Sequence, residues 1–122
     1  MSNTDFEKIK KIVLESLDNL KTQNIVTIDV SKKSNFTDLL LIGTGTSSVH
    51  IKAISNEVTE RLKKSGYGKM IRGVELDREW VLIDLYDIVI NLMLNETREF
   101  YSLEKLWSSD NNFKSEQTSI KQ

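Results

Sequence analysis

Residues 80–94 read W-V-L-I-D-L-Y-D-I-V-I-N-L-M-L. Two apolar runs rich in β-branched residues, Trp80 to Leu85 and Ile88 to Leu94, are broken at Tyr86 and Asp87, which is the pattern of two consecutive strands joined by a tight turn. Side chains alternate across a strand, so Val81, Ile83 and Leu85 form one row and Trp80, Leu82 and Asp84 the other. In the second run Ile88, Ile90, Leu92 and Leu94 share a face opposite to Val89, Asn91 and Met93. The wholly apolar rows belong to a core. Pairing through the turn sets Trp80, Leu82 and Asp84 beside Val89, Asn91 and Met93 as one mixed face, too apolar for a solvated surface and too polar for an ordinary core. Two readings of that face stand open: it is covered by one of the chain's own helices, or it docks another protein, since Trp, Tyr and Met are enriched at interface centres.

On the C-terminal side, Asn95 opens a helix whose Phe100, Leu103, Leu106 and Trp107 make an apolar stripe that returns it to the sheet, with Arg98 and Tyr101 projecting sideways. Beyond Trp107 only two of fifteen residues are apolar. A domain over residues 1–107 and a flexible polar tail over 108–122 follow, because such a tail buries too little to offset its ordering entropy. On the N-terminal side, Met70 to Val74 reads as a short extended segment after the Ser65 to Gly68 turn, followed by a polar connection from Glu75 to Glu79.

Further upstream, Ile25 to Val30 and Thr37 to Ile42 read as strands, and the unbroken apolarity of Leu39 to Ile42 predicts one covered on both faces. Thr4 and Glu7 have capping-box spacing ahead of Phe6, Ile9, Val13, Leu17 and Leu20, which predicts a helix over Asp5 to Lys21. Ile51, Ile54, Val58 and Leu62 predict a second helix over Ser48 to Lys64, stopped by Gly66 and supported by Glu57–Arg61 and Glu60–Lys64 pairs. Sheet plus helices makes the class α/β (α+β).

Gly43-Thr44-Gly45-Thr46-Ser47-Ser48 lies between strand and helix, where free N–H groups and the helix dipole suit an anion. It matches neither phosphate-loop pattern in full, and its other reading is a structural turn with Thr46 or Ser47 as N-cap. His50, the one histidine, has no carboxylate or nucleophile partner in the pattern and is read as a surface or partly packed residue.

Composition narrows the function. The formal charge of -1, from 17 basic and 18 acidic residues, provides no global field for nucleic acid; Lys63, Lys64, Lys69 and Arg72 are close enough in sequence for a local RNA contact, and their other, more usual reading is a solvated cluster after a helix end. One histidine and no cysteine exclude the usual zinc sites and a thiol nucleophile. No apolar run approaches the roughly 20 residues that span a bilayer. A nucleotidyltransferase needs paired carboxylates on the strand after a glycine turn; Asp84 and Asp87 are three apart and flank a bend. No catalytic set, cofactor or metal is expected.

Four segments in order, F-T-D-L-L-L-I-G-T-G-T-S-S (36–48), G-V-E (73–75), E-W-V-L-I-D (79–84) and R-E-F-Y-S-L-E-K-L-W (98–107), resemble the ribosomal silencing factor, or Iojap-like, family. The resemblance implies a single domain with a mixed five-stranded sheet flanked by helices, nucleotidyltransferase-like in fold but without that chemistry. It implies binding to the large ribosomal subunit through the fourteenth large-subunit ribosomal protein, steric exclusion of the small subunit, and damped translation when nutrients are scarce. Organellar relatives act in large-subunit assembly, which is the alternative role; the absence of a transit peptide predicts a bacterial cytoplasmic protein, monomeric or weakly dimeric when free. The expected contact residues are Trp80, Leu82, Asp84, Tyr86, Asn91, Met93, Glu96, Arg98 and Tyr101. This chain departs from the family pattern at the Leu85-Tyr86 turn, at Asn91 where histidine is common, and after Glu75, where the usual glycines are missing.

Overall fold

Leu39 to Gly45 is buried at every position, and the sheet is built around it. A computed structural model of the chain describes residues 3–35 and 37–101, the last three as backbone only. Its elements are α1 (Asn3–Asn19), β1 (Gln23–Asp29), β2 (Leu39–Gly45), α2 (Ser48–Lys64), a 3-10 turn (Gly68–Met70), β3 (Gly73–Leu76), β4 (Trp80–Asp84), β5 (Ile88–Leu94) and α3 (Asn95–Tyr101). The strands lie in the order β1-β2-β5-β4-β3. β2 and β5 are parallel and the other neighbours antiparallel, so the sheet is mixed, as expected.

Both faces of the sheet are apolar. On one, α1 (Ile9, Val13, Leu17) and α2 (Ile51, Ile54, Val58, Leu62) pack onto Leu39, Leu41, Val81, Ile83, Ile88, Ile90 and Leu92. On the other, Val26, Ile28, Val30, Leu40, Ile42 and Met93 form a second buried cluster against which Trp80 and Val89 pack. Each fully buried Leu or Ile contributes roughly 1.5–3 kcal/mol of transfer free energy, so two clusters are ample for a domain of this size. The predicted burial of β2 on both faces is thus borne out.

The register of the hairpin is the one its alternation predicted: Trp80 faces Met93, Leu82 faces Asn91 and Asp84 faces Val89. Elsewhere element ends move. β2 begins two residues later than expected and runs on through Gly45. Met70 falls in the 3-10 turn, and β3 instead takes Glu75 and Leu76 from the expected polar connection, because they pair with Leu82 and Val81. Thr4 lies inside α1 rather than capping it.

α1 stops before Lys21, which occupies the left-handed region (φ 59) while the Thr22 N–H reaches back to Leu17 O at 2.9 Å. α2 ends the same way with Gly66 (φ 87) and Tyr67 N–H to Leu62 O at 2.8 Å, the predicted glycine stop. Arg61, expected to pair with Glu57, donates across to Glu15 of α1 at 3.2 Å. The stripe residues Leu103, Leu106 and Trp107, the Phe100 side chain and the tail lie outside the described residues.

Candidate docking face

The glycine segment is packing rather than cradle. Gly43 and Gly45 are strand residues; a Cβ on Gly43 would come within 2.7 Å of Thr22 Cγ2, and one on Gly45 would overlap Ile51 Cγ2. The absent side chains let the first turn of α2 close onto β2. Ser47 is the N-cap, accepting from His50 N–H, and the Thr46 N–H donates to His50 Nδ1 at 2.9 Å. With Nδ1 accepting, Nε2 carries the proton and donates to Leu20 O at 2.6 Å. His50 therefore ties the end of α1 to the start of α2, and the N–H groups of Thr46 and His50, which an anion would use, are occupied. Gly45→Ala is expected to destabilise the fold by about 1–3 kcal/mol in chemical denaturation, since the Ile51 methyl sits on a fully buried side chain with little room to yield.

The expected contact residues divide by burial. Tyr86, 42% exposed, stands at the β4–β5 turn with φ 72, a left-handed conformation unusual for an aromatic residue. It is held there from two sides: its N–H donates to Asp84 Oδ1 at 3.0 Å, and the Arg72 guanidinium lies over its ring, 4.6 Å from the centroid. Arg72 in turn grips Asp84 Oδ2 through Nε at 3.0 Å and Nη2 at 2.9 Å. Of the four basic residues whose spacing suggests a local RNA contact, Lys63, Lys64 and Lys69 are exposed, but Arg72 serves this cluster. Nothing in the local sequence signals that role, because the partners lie 12 and 14 positions away and meet only when β3 pairs with β4.

Trp80, Leu82, Asp84 and Asn91 are half-buried along the same face, and the Asn91 side-chain oxygen is buried with no hydrogen-bond partner among the described residues. Glu96 is exposed in the first turn of α3. Two expectations change. Met93 is 1% exposed, a member of the second core cluster rather than an open contact. Arg98, expected at the rim, is 5% exposed; its Nη1 donates to Asn24 O at 2.6 Å and Thr44 Oγ1 at 2.8 Å. α3 begins directly after β5 and is anchored to the hairpin by Thr97 Oγ1 donating to Glu79 at 3.1 Å, which turns Arg98 inward. The Tyr101 side chain lies outside the described residues. Burial divides the face. Its Met93 end is core, and its Leu82–Asp84–Tyr86 end is accessible.

Residues 3–122 match the family model described as ribosomal silencing factor during starvation. The chain belongs to the ribosomal silencing factor family. It is 32% identical over 103 residues to the ribosomal silencing factor RsfS of Chromobacterium violaceum, covering 84% of each chain. It is 38% identical over 90 residues to the mouse protein named mitochondrial assembly of ribosomal large subunit protein 1, covering 70% of this chain and 39% of the mouse one. A crystal structure of a Chromobacterium violaceum protein superposes with a TM-score of 0.77 at 35% identity, covering 84% of this chain and 85% of the other. Family membership makes a regulatory, non-catalytic role on the ribosome the frame in which the face is read. Among the described residues no helix is long and apolar enough to cross a membrane.

Proposed function

We propose that this chain binds the large ribosomal subunit through the fourteenth large-subunit ribosomal protein and, by occupying that surface, keeps the small subunit from joining. The observation that carries the docking assignment is Tyr86, exposed, in a left-handed conformation and clamped by Arg72 and Asp84 at the open end of an apolar face. Backbone strain that neighbouring residues maintain, at a position serving no core packing, is a mark of a recognition site. Leu82 supplies the apolar centre, Trp80 supports it from the covered side, and Glu96 offers a carboxylate to a basic partner, while Asp84, engaged by Arg72 and the Tyr86 N–H, positions the turn. The reaction is steric, and the expected compartment is the bacterial cytoplasm, where subunits join.

Leu82 is the residue to change. A Trp80→Ala, Met93→Ala double variant does not isolate the face, because removing a buried methionine side chain costs about 2–5 kcal/mol of stability by itself. Leu82→Lys keeps a half-buried position that a long aliphatic stem can cover and puts a charge at the centre of the contact. Sedimentation of purified subunits is expected to show the wild-type chain travelling with the large subunit and depleting joined ribosomes. The variant should bind at least roughly tenfold more weakly, the loss typical of a disrupted interface centre. A folded Leu82→Lys protein that binds like wild type would remove the face from consideration. The assembly role in the mouse relative's name is a second reading, and it predicts preference for immature over mature large subunits.

A further inference from the structure

The two edges of the sheet are finished differently. Along β1 the pairing shifts register between Gln23 and Val26, Asn24 takes φ 50, and its carbonyl is held by Arg98. A bulge and a capped carbonyl blunt that edge against another strand. β3, at the opposite edge, pairs without a register shift, and all four of its residues are exposed.

The phase of the ladder shows which β3 groups are free. Leu85 N–H bonds to Ile88 O and Leu94 N–H to Glu79 O, so the odd residues of β4 turn their backbone to β5 and the even ones to β3. Asp77 N–H bonding to Trp80 O at 2.9 Å agrees. Gly73 and Glu75 therefore face β4, and the N–H and C=O of Val74 and Leu76 point outward, with no hydrogen bond to any described residue. Their side chains are 39% and 52% exposed; Leu76 lines a shallow groove of about 420 Å³ with Val49, Lys52 and Arg78. Glu75 points to the other face, next to Leu82 of the docking face, and its carboxylate has no partner among the described residues.

We propose that the β3 edge takes up an extended strand of the docked ribosomal protein, which sets apolar side chains on Val74 and Leu76 and a basic residue beside Glu75. This inference rests on the docking reading above and adds the mode of recognition: main-chain bonds for affinity, alternate side chains for selection. Charge favours a basic partner over a second copy of the chain. Antiparallel self-pairing of Val74 with the mate's Leu76 sets the two Glu75 carboxylates directly opposite each other, which is repulsive.

Val74→Pro tests the idea. It deletes one outward N–H, leaves the Arg72 and Asp77 N–H bonds to Asp84 O and Trp80 O in place, and suits an edge position already extended. Affinity for large subunits is expected to fall roughly tenfold, the loss of about one intermolecular hydrogen bond, with an unchanged thermal midpoint. Glu75→Lys, which alters no backbone group, should weaken binding in the same direction. In the wild-type complex, hydrogen exchange at the Val74 and Leu76 amides should slow relative to the free chain. A folded Val74→Pro protein with wild-type affinity overturns the proposal, as does unslowed exchange at those amides, which also decides the matter if the variant fails to fold. Concentration-dependent protection of the same amides in the free protein overturns it in favour of self-association. If the wild-type chain does not sediment with large subunits at all, the docking reading falls and the inference with it; retained wild-type binding alongside a failed Val74→Pro test removes the inference alone.

Discussion

Arg98→Met is expected to lower the unfolding free energy by about 2–4 kcal/mol, because it strands one buried and one partly buried acceptor that the guanidinium now satisfies. The bond to Asn24 O holds the bulge of β1, and the bond to Thr44 Oγ1 holds the end of β2, so one side chain on α3 secures two strands. For a domain of this size the loss corresponds to a drop in thermal midpoint on the order of 10 °C. Arg98→Lys should fall between, since an ammonium on a flexible stem lacks the planar fork of the guanidinium. Thermal and chemical denaturation read both variants. An unchanged midpoint with weakened ribosome binding would return Arg98 to the rim of the interface; the structure predicts the reverse, a stability defect.

Tyr86→Gly is expected to separate stability from function. Left-handed backbone costs a residue with a side chain roughly 1–2 kcal/mol, which glycine relieves. Against that stand the entropy of a more flexible unfolded chain and the loss of the stacked Arg72, each about 0.5–1 kcal/mol. The net change in folding stability should therefore be within about 1 kcal/mol of zero. Binding is different. A tyrosine at an interface centre is commonly worth about 2 kcal/mol or more, so affinity for large subunits should fall roughly thirtyfold or beyond. Tyr86→Asn keeps a residue tolerant of the left-handed region while removing the ring, and should lose affinity similarly. Measurement of denaturation midpoint and subunit affinity on the same preparations decides it. Undiminished binding by a folded Tyr86→Gly protein contradicts the assignment.

The parts of the molecule that were legible in advance are those whose information is local. Val81, Ile83 and Leu85 against Trp80, Leu82 and Asp84 is a period-two pattern, and with only Leu85, Tyr86 and Asp87 at the turn the pairing to Met93, Asn91 and Val89 had little freedom. The limits of α2 were equally plain, since Ser47 and Gly66 are cap residues with a specific mechanism at each end. The extent of β3 is not legible locally, because Glu75 is polar, yet an edge strand open to solvent accommodates a polar residue at alternate positions. The stop before Lys21 is not legible in the sequence, because lysine carries no signal for the left-handed region it occupies.

The amino-acid sequence by itself determined the class of fold, the hairpin register, the family, and the face on which recognition is sought. The tertiary structure decided which residues of that face are accessible. Met93 and Leu82 share one row of side chains with the same alternation, yet Met93 is 1% exposed and Leu82 half-buried. Arg98 meets Asn24 and Thr44 across 74 and 54 positions of chain, and Arg72 meets Tyr86 only because β3 pairs with β4. Periodicity is set by a residue's neighbours in the chain. Burial is set by what the completed fold brings over it, and that depends on contacts whose sequence separation no local pattern records.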